Sequence, residues 1–289
     1  MKKSLFYIVM FFFVQVLATA VAFVGNALVN GSDSPMTTTW TVVLQLVFAL
    51  SCIVLFLWRR WTPVSSLRMT AGTDSSGAPT PVSAGRAVTR GHLRAGSILA
   101  WTVIAALGTI IPSLLLQECL SFLPDIVSED LMPIMMHPLG YFVIGIVVPL
   151  SEEIVFRGAI LRELLSWVNR NGQPADSRQS TRRAWAAITL SALFFGLAHI
   201  NPAQIPHAFL LGLMLGWLYW RSGSILPCVA LHVTNNTVAF LIARSYPYMD
   251  DLTVSQMLGG SDRHVLMAFV FSLCLLLPAL YQLHQRMKK

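Results

Sequence analysis

The chain has 289 residues, of which 55% are hydrophobic and only 11% charged, and its mean hydropathy is +0.65. A soluble domain carries roughly 25% charged residues, so a water-soluble protein is excluded. The net charge of +7 must then be explained by where the charges lie along a membrane chain.

Apolar runs fall at residues 5–24, 40–58, 97–116 and 138–155, and again at 184–199, 208–220, 225–243 and 265–283. Most approach the ~20 residues needed to cross a hydrocarbon core. The run at 208–220 is short, but it carries no charge and lies between two other candidates. The pattern predicts an all-α protein, a polytopic membrane helix bundle of about eight transmembrane helices.

Under alternating topology, seventeen of the twenty Lys and Arg residues fall on one side, from Lys2 and Lys3 through Arg59, Arg60 and Arg162 to Lys288 and Lys289. The other side receives Arg244 and Arg263 and collects acids such as Asp33, Glu118, Asp125 and Asp250. That asymmetry is the positive-inside pattern and predicts cytoplasmic termini. It accounts for the basic charge without nucleic acid. Lys2-Lys3, an apolar run and Ala18-Thr19-Ala20 also resemble a cleavable signal peptide, which would leave seven spans and the same cytoplasmic C-terminus. The expected location is a bacterial inner (plasma) membrane. Cys52, Cys119, Cys228 and Cys274 are dispersed with no CxxC pair, so neither a disulfide framework nor a zinc ribbon is indicated.

Thr62–Ala95 is rich in Ser, Thr, Gly, Pro and Ala and reads as a flexible cytoplasmic linker. It separates an N-terminal two-helix hairpin (1–61) from a six-helix membrane domain (96–289). A second polar loop covers 169–183. No internal repeat supports an inverted-repeat transporter.

The polar residues inside the apolar runs lie between positions 150 and 240. Glu152, Glu153 and Arg157 follow the run at 141–150. Each charge at a helix centre costs roughly 2.5–3.5 kcal/mol before pairing, so chemistry, ion transport or helix locking must offset it. An i,i+4 spacing sets Glu153 beside Arg157, while Glu152 points about 100° away. Phe195 and His199 close the fifth run. His232 and Asn236 share one face of the seventh, with Asn235 an open alternative partner of His232. Taking ~1.5 Å per residue, Glu152 lies about 20 Å and His199 about 22 Å from the cytoplasmic face, and His232 roughly 10–15 Å. A Glu, two His and an Asn at compatible depths on three helices is hard to ascribe to packing.

Glu-Glu-x-x-x-Arg, Phe-x-x-x-His and His-x-x-x-Asn, in that order on successive apolar segments, resemble the motif set of the CAAX-processing and bacteriocin-processing (CPBP, Abi) family of intramembrane proteases. That family includes the type II CAAX prenyl endopeptidases. The resemblance covers roughly residues 139–240. It implies hydrolysis of a peptide bond in a membrane-associated protein or peptide within the lipid bilayer. It further implies that Glu152 activates a water with help from His199, that His232 and Asn236 stabilise the oxyanion, and that Glu153, Arg157 and Phe195 support them. Such hydrolysis requires a positioned base and preorganised donors, which these residue types supply. No cofactor is expected; the alternative is a zinc ion on Glu152, His199 and His232.

Other intramembrane protease chemistries fit poorly. No Asp lies in a span, all four Lys are terminal, and His-Glu-x-x-His is absent. Ser222-Gly223-Ser224 sits where a turn is required. Two non-proteolytic readings remain: a membrane scaffold or bacteriocin-immunity-type protein, and a proton or cation pathway, although no ionisable residues continue from the cluster to the far side. Gly212 and Gly216 form a GxxxG expected to pack helices within the bundle rather than between chains. His92, His137, His207, His264 and His284 are given no role.

Overall fold

The computed structural model describes residues 1–69, 84–170, 177–246 and 252–287, and of 84–94, 128–130, 169, 170 and 177 it describes the backbone alone. Parts of the 62–95 and 169–183 segments therefore lie outside the described residues, as do Asp250, Asp251, Lys288 and Lys289.

Among the described residues the chain is helical, with no strand. In chain order, α1 is Lys2–Asn30, α2 Thr38–Trp58, α3 Ala84–Cys119 and α4 Ser128–Met136. A continuous run, α5, occupies residues 141–170. It is followed by α6 Ser177–Leu197, α7 Ile205–Ser222, α8 Leu226–Ser245 and α9 Asp262–Arg286.

Among the described residues, five helices are long and apolar enough to cross a membrane: α1, α2, the Ala95–Cys119 part of α3, α8 and α9. The other three apolar runs are also helical, within α5, α6 and α7, but their helices mix polar groups into the span. Glu152, Glu153 and Arg157 interrupt α5; Arg178, Arg182 and Arg183 open α6; His207 and Arg221 lie near the ends of α7.

The N-terminal hairpin packs directly on the polar helix. Tyr7, Phe11, Val14, Ala18 and Ala22 are buried along one face of α1, three or four residues apart. Phe13, Leu17 and Val21, on other faces of α1, are exposed apolar side chains, as a lipid-facing surface requires. Phe11 meets Phe48 of α2 and Phe156 of α5 edge-on, with ring centroids 5.1 and 5.2 Å apart. Beyond α2 the chain remains in the core. Thr62 is fully buried, and its hydroxyl donates to Ile154 O at 2.6 Å. A Cβ at Gly158 would stand 2.3 Å from Thr62 Cγ2, so this approach requires glycine.

The GxxxG packs inside the bundle. A Cβ at Gly212 would meet Ala192 Cα at 3.0 Å, and one at Gly216 would meet Ile188 Cγ2 at 2.8 Å. Both glycines therefore set how closely α7 approaches α6.

Candidate functional site

Helix α5 changes register twice around the glutamates. Residues Tyr141–Val147 and Ile154–Leu161 form wide π turns, and Val148–Glu153 between them is α-helical. Such turns favour functional sites because they leave backbone groups for other partners. Pro149 shows how this happens. The Val148 N–H bonds to Val143 O, five residues back, so Ile144 O would next take its hydrogen from residue 149. Proline has none to give. The Asn236 side chain of α8 donates to that carbonyl at 3.1 Å, tying α8 to α5 one helical turn from His232.

This contact predicts a coupling. Asn236→Ala should cost about 1 kcal/mol by leaving a part-buried carbonyl unpaired. The cost should shrink when Pro149→Ala restores a backbone donor. Thermal midpoints of the two single variants and the double variant test this, and strict additivity would refute it.

The charged cluster lies one turn further along α5. Arg157 Nη1 donates to Glu153 Oε1 at 3.0 Å, with both side chains essentially inaccessible. The expected i,i+4 pair is thus present despite the π turn. Arg157 Nη2 donates to Gly212 O at 3.4 Å, and the guanidinium lies 4.2 Å above the Phe195 ring, a cation–π contact. The close approach at Gly212 therefore also delivers a backbone acceptor to Arg157.

His232 stands between the two glutamates. Its Nδ1 lies 2.8 Å from Glu153 Oε1, and its Nε2 lies 3.6 Å from Glu152 Oε2. Glu153 is fully buried, whereas Glu152 retains 15% of its side-chain surface. The two adjacent carboxylates thus differ in access. Glu153 Oε1 accepts from both Arg157 and His232, and only Glu152 is open to an incoming molecule.

His199 joins the cluster through Phe195. The Phe195 ring is edge-on to His199 at 5.0 Å and to His232 at 5.8 Å between centroids. His199 Nδ1 lies 2.9 Å from Phe195 O, which leaves Nε2 as the outward nitrogen. No hydrogen bond joins His199 to Glu152 among the described residues. Asn235 is buried, but the amide that donates to α5 is that of Asn236.

Several neighbours carry no sequence signal of this role. Ile200 has φ of 60°, which is strained for a β-branched residue, and it turns the chain sharply after His199. Asn201, fully buried, holds that turn by donating to Asp125 Oδ1 at 3.0 Å and accepting from Ile126 N at 3.1 Å. His207 lies within electrostatic reach of His199 and His232, and Cys52 of α2 within reach of Glu152.

Residues 134–238 match the family model described as "Type II CAAX prenyl endopeptidase Rce1-like". Over those residues the chain is similar to the Rce1-like family. No curated protein and no solved structure gives a significant match. The Rce1-like region contains Glu152, Glu153, Arg157, Phe195, His199, His232 and Asn236, all the residues singled out by the motifs. The hairpin α1–α2, α3 and α9 lie outside it.

A zinc site would require Glu152, His199 and His232 to converge. Among the described residues no three His, Cys, Asp or Glu side chains form a group able to hold a metal. As placed, these three side chains do not fit the ion.

Proposed function

We propose that the chain is an intramembrane endopeptidase that hydrolyses a peptide bond of a membrane-associated protein by a glutamate-activated water. The protease character of the Rce1-like region and its setting among apolar helices support this reading. The observation that carries it is the unequal exposure of two adjacent carboxylates on either side of one histidine.

Glu152 takes a proton from water, assisted by His199, and the hydroxide adds to the scissile carbonyl. His232 Nε2 and the Asn236 amide donate to the resulting oxyanion. The Asn236 contact with Ile144 O uses one of its two amide hydrogens and leaves the other. With Nδ1 donating to Glu153, the His232 ring carries both protons when Nε2 also donates. With Glu152 then protonated, the negative Glu153 and oxyanion balance the positive Arg157 and His232, the least costly arrangement in a low-dielectric interior. Collapse of the intermediate returns the proton to the departing amine.

The same proposal sets eight crossings with both termini cytoplasmic, in a bacterial plasma membrane. A two-helix hairpin and a linker precede the catalytic domain. Proteomics of membrane fractions from cells carrying the parent chain or Glu152→Gln tests the function. The variant should accumulate an uncut membrane protein, and identical fractions would sink the reading.

No cofactor is required in this scheme. Activity of the purified protein should survive exhaustive chelation and should not rise when zinc is added back. Loss on chelation with recovery on zinc would replace the glutamate mechanism with a metal-dependent one.

A further inference from the structure

A polar cavity of about 490 Å³, which none of the cluster residues lines, lies between α1, the end of α2 and α5. We propose that it binds the phosphate headgroup of an anionic phospholipid. This inference does not depend on the catalytic reading. Its walls carry three cations, Lys3, Arg60 and Arg162, against one acid, Glu163. The balance is three positive against one negative, or +2.

Two of the cations are set in place by the backbone. Arg162 donates from Nε to Gly158 O at 3.1 Å and from Nη2 to Trp61 O at 2.9 Å. Those bonds fix its guanidinium plane and leave Nη1 without a hydrogen bond among the described residues. Arg60 has φ of 55°, in the left-handed region that non-glycine residues rarely occupy. Such strain persists only where surrounding structure enforces it. Here it turns the chain out of α2 and puts both Arg60 and Trp61 on the cavity wall.

The position selects a lipid over a soluble anion. Lys3 opens α1 and Arg60 follows the end of α2, two antiparallel candidate spans, so the cavity lies where hydrocarbon meets water. Tyr7 and Trp61 complete the wall, with ring centroids 5.3 Å apart, the residue types that favour the headgroup level. Phe6 also lines the cavity and is 47% exposed. It offers an apolar surface to an acyl chain, which a free phosphate would not use. Basic pockets between transmembrane helices recognise anionic headgroups in this way. A bound headgroup would bridge Lys3 of α1, Arg60 after α2 and Arg162 of α5, bracing the hairpin against the helix that carries the glutamates.

The test uses the full chain, purified and titrated with phosphatidylglycerol or phosphatidylcholine, with bound lipid counted by native mass spectrometry. Phosphatidylglycerol should be retained and phosphatidylcholine lost. Lys3→Gln and Arg60→Gln should each weaken phosphatidylglycerol binding about fivefold, and together about thirtyfold. The charge-keeping pair Lys3→Arg and Arg60→Lys should retain it. Inorganic phosphate at matching concentration should not displace the lipid. Equal retention of both lipids, or unchanged affinity in the double Gln variant, would overturn the proposal. Full displacement by phosphate would also overturn it and assign the cavity to a soluble anion.

Discussion

Glu152→Gln should yield a folded protein whose cleavage rate falls about 10²–10⁴-fold, the range contributed by a positioned general base. The substitution keeps the shape of the side chain and removes its ability to take a proton. Its structural cost should be small. Glu152 is the partly exposed carboxylate, and its contact with His232 Nε2 is 3.6 Å, longer than a hydrogen bond. The neighbouring Glu153→Gln is the natural control. That residue is fully buried and receives Arg157 and His232 on a single oxygen, so its loss should register first in stability. Thermal midpoints and cleavage of a membrane-anchored peptide, measured on the same preparations, separate the two effects. A Glu152→Gln protein that cleaves at the parent rate would remove Glu152 from the mechanism. An inactive variant with a collapsed midpoint would assign it to the fold instead.

What was legible beforehand follows from which patterns are local. The Glu153–Arg157 pair depends on a four-residue spacing within one helix, and a sequence displays that directly. The long apolar helices were readable from composition for the same reason. The placement of His232 was not. Consecutive residues of an α-helix diverge by about 100°, which argued that Glu152 and Glu153 would find different partners. One imidazole instead reaches both, because its two nitrogens lie on opposite sides of the ring. The π turns were also hidden, since periodicity reasoning assumes a constant 3.6-residue turn. Their consequences were hidden with them: Thr62 on Ile154 O, and Asn236 on the carbonyl that Pro149 leaves without a donor. Thr62 lay in a stretch whose composition suggested a solvated linker. A single threonine carries no mark of burial until the glycine opposite it, Gly158, is placed.

Arg157→Ala should produce the largest loss of stability of any single change in the cluster, about 3–5 kcal/mol, the cost of stripping one partner from a buried ion pair. Three contacts disappear together: the bond to Glu153, the bond to Gly212 O and the stacking over Phe195. Glu153 would keep only His232 as a partner, in a site with no exposure to water. The pair is not over-satisfied to begin with, because Glu153 Oε2 and Arg157 Nε have no hydrogen-bond partner among the described residues. Arg157→Lys should rescue little, since an ammonium can neither lie flat on Phe195 nor reach Glu153 and Gly212 in a planar fork. The informative comparison is Arg157→Met combined with Glu153→Gln. Removing both charges avoids an isolated buried ion, and the glutamine oxygen can still accept from His232 Nδ1. This double variant should recover much of the midpoint lost in Arg157→Ala, and each folded molecule should still cleave. If it recovers stability without activity, Arg157 or the Glu153 charge contributes to the chemistry. If Arg157→Ala is as stable as the parent, the buried pair does not hold α5 in place, and its energetic role here is refuted.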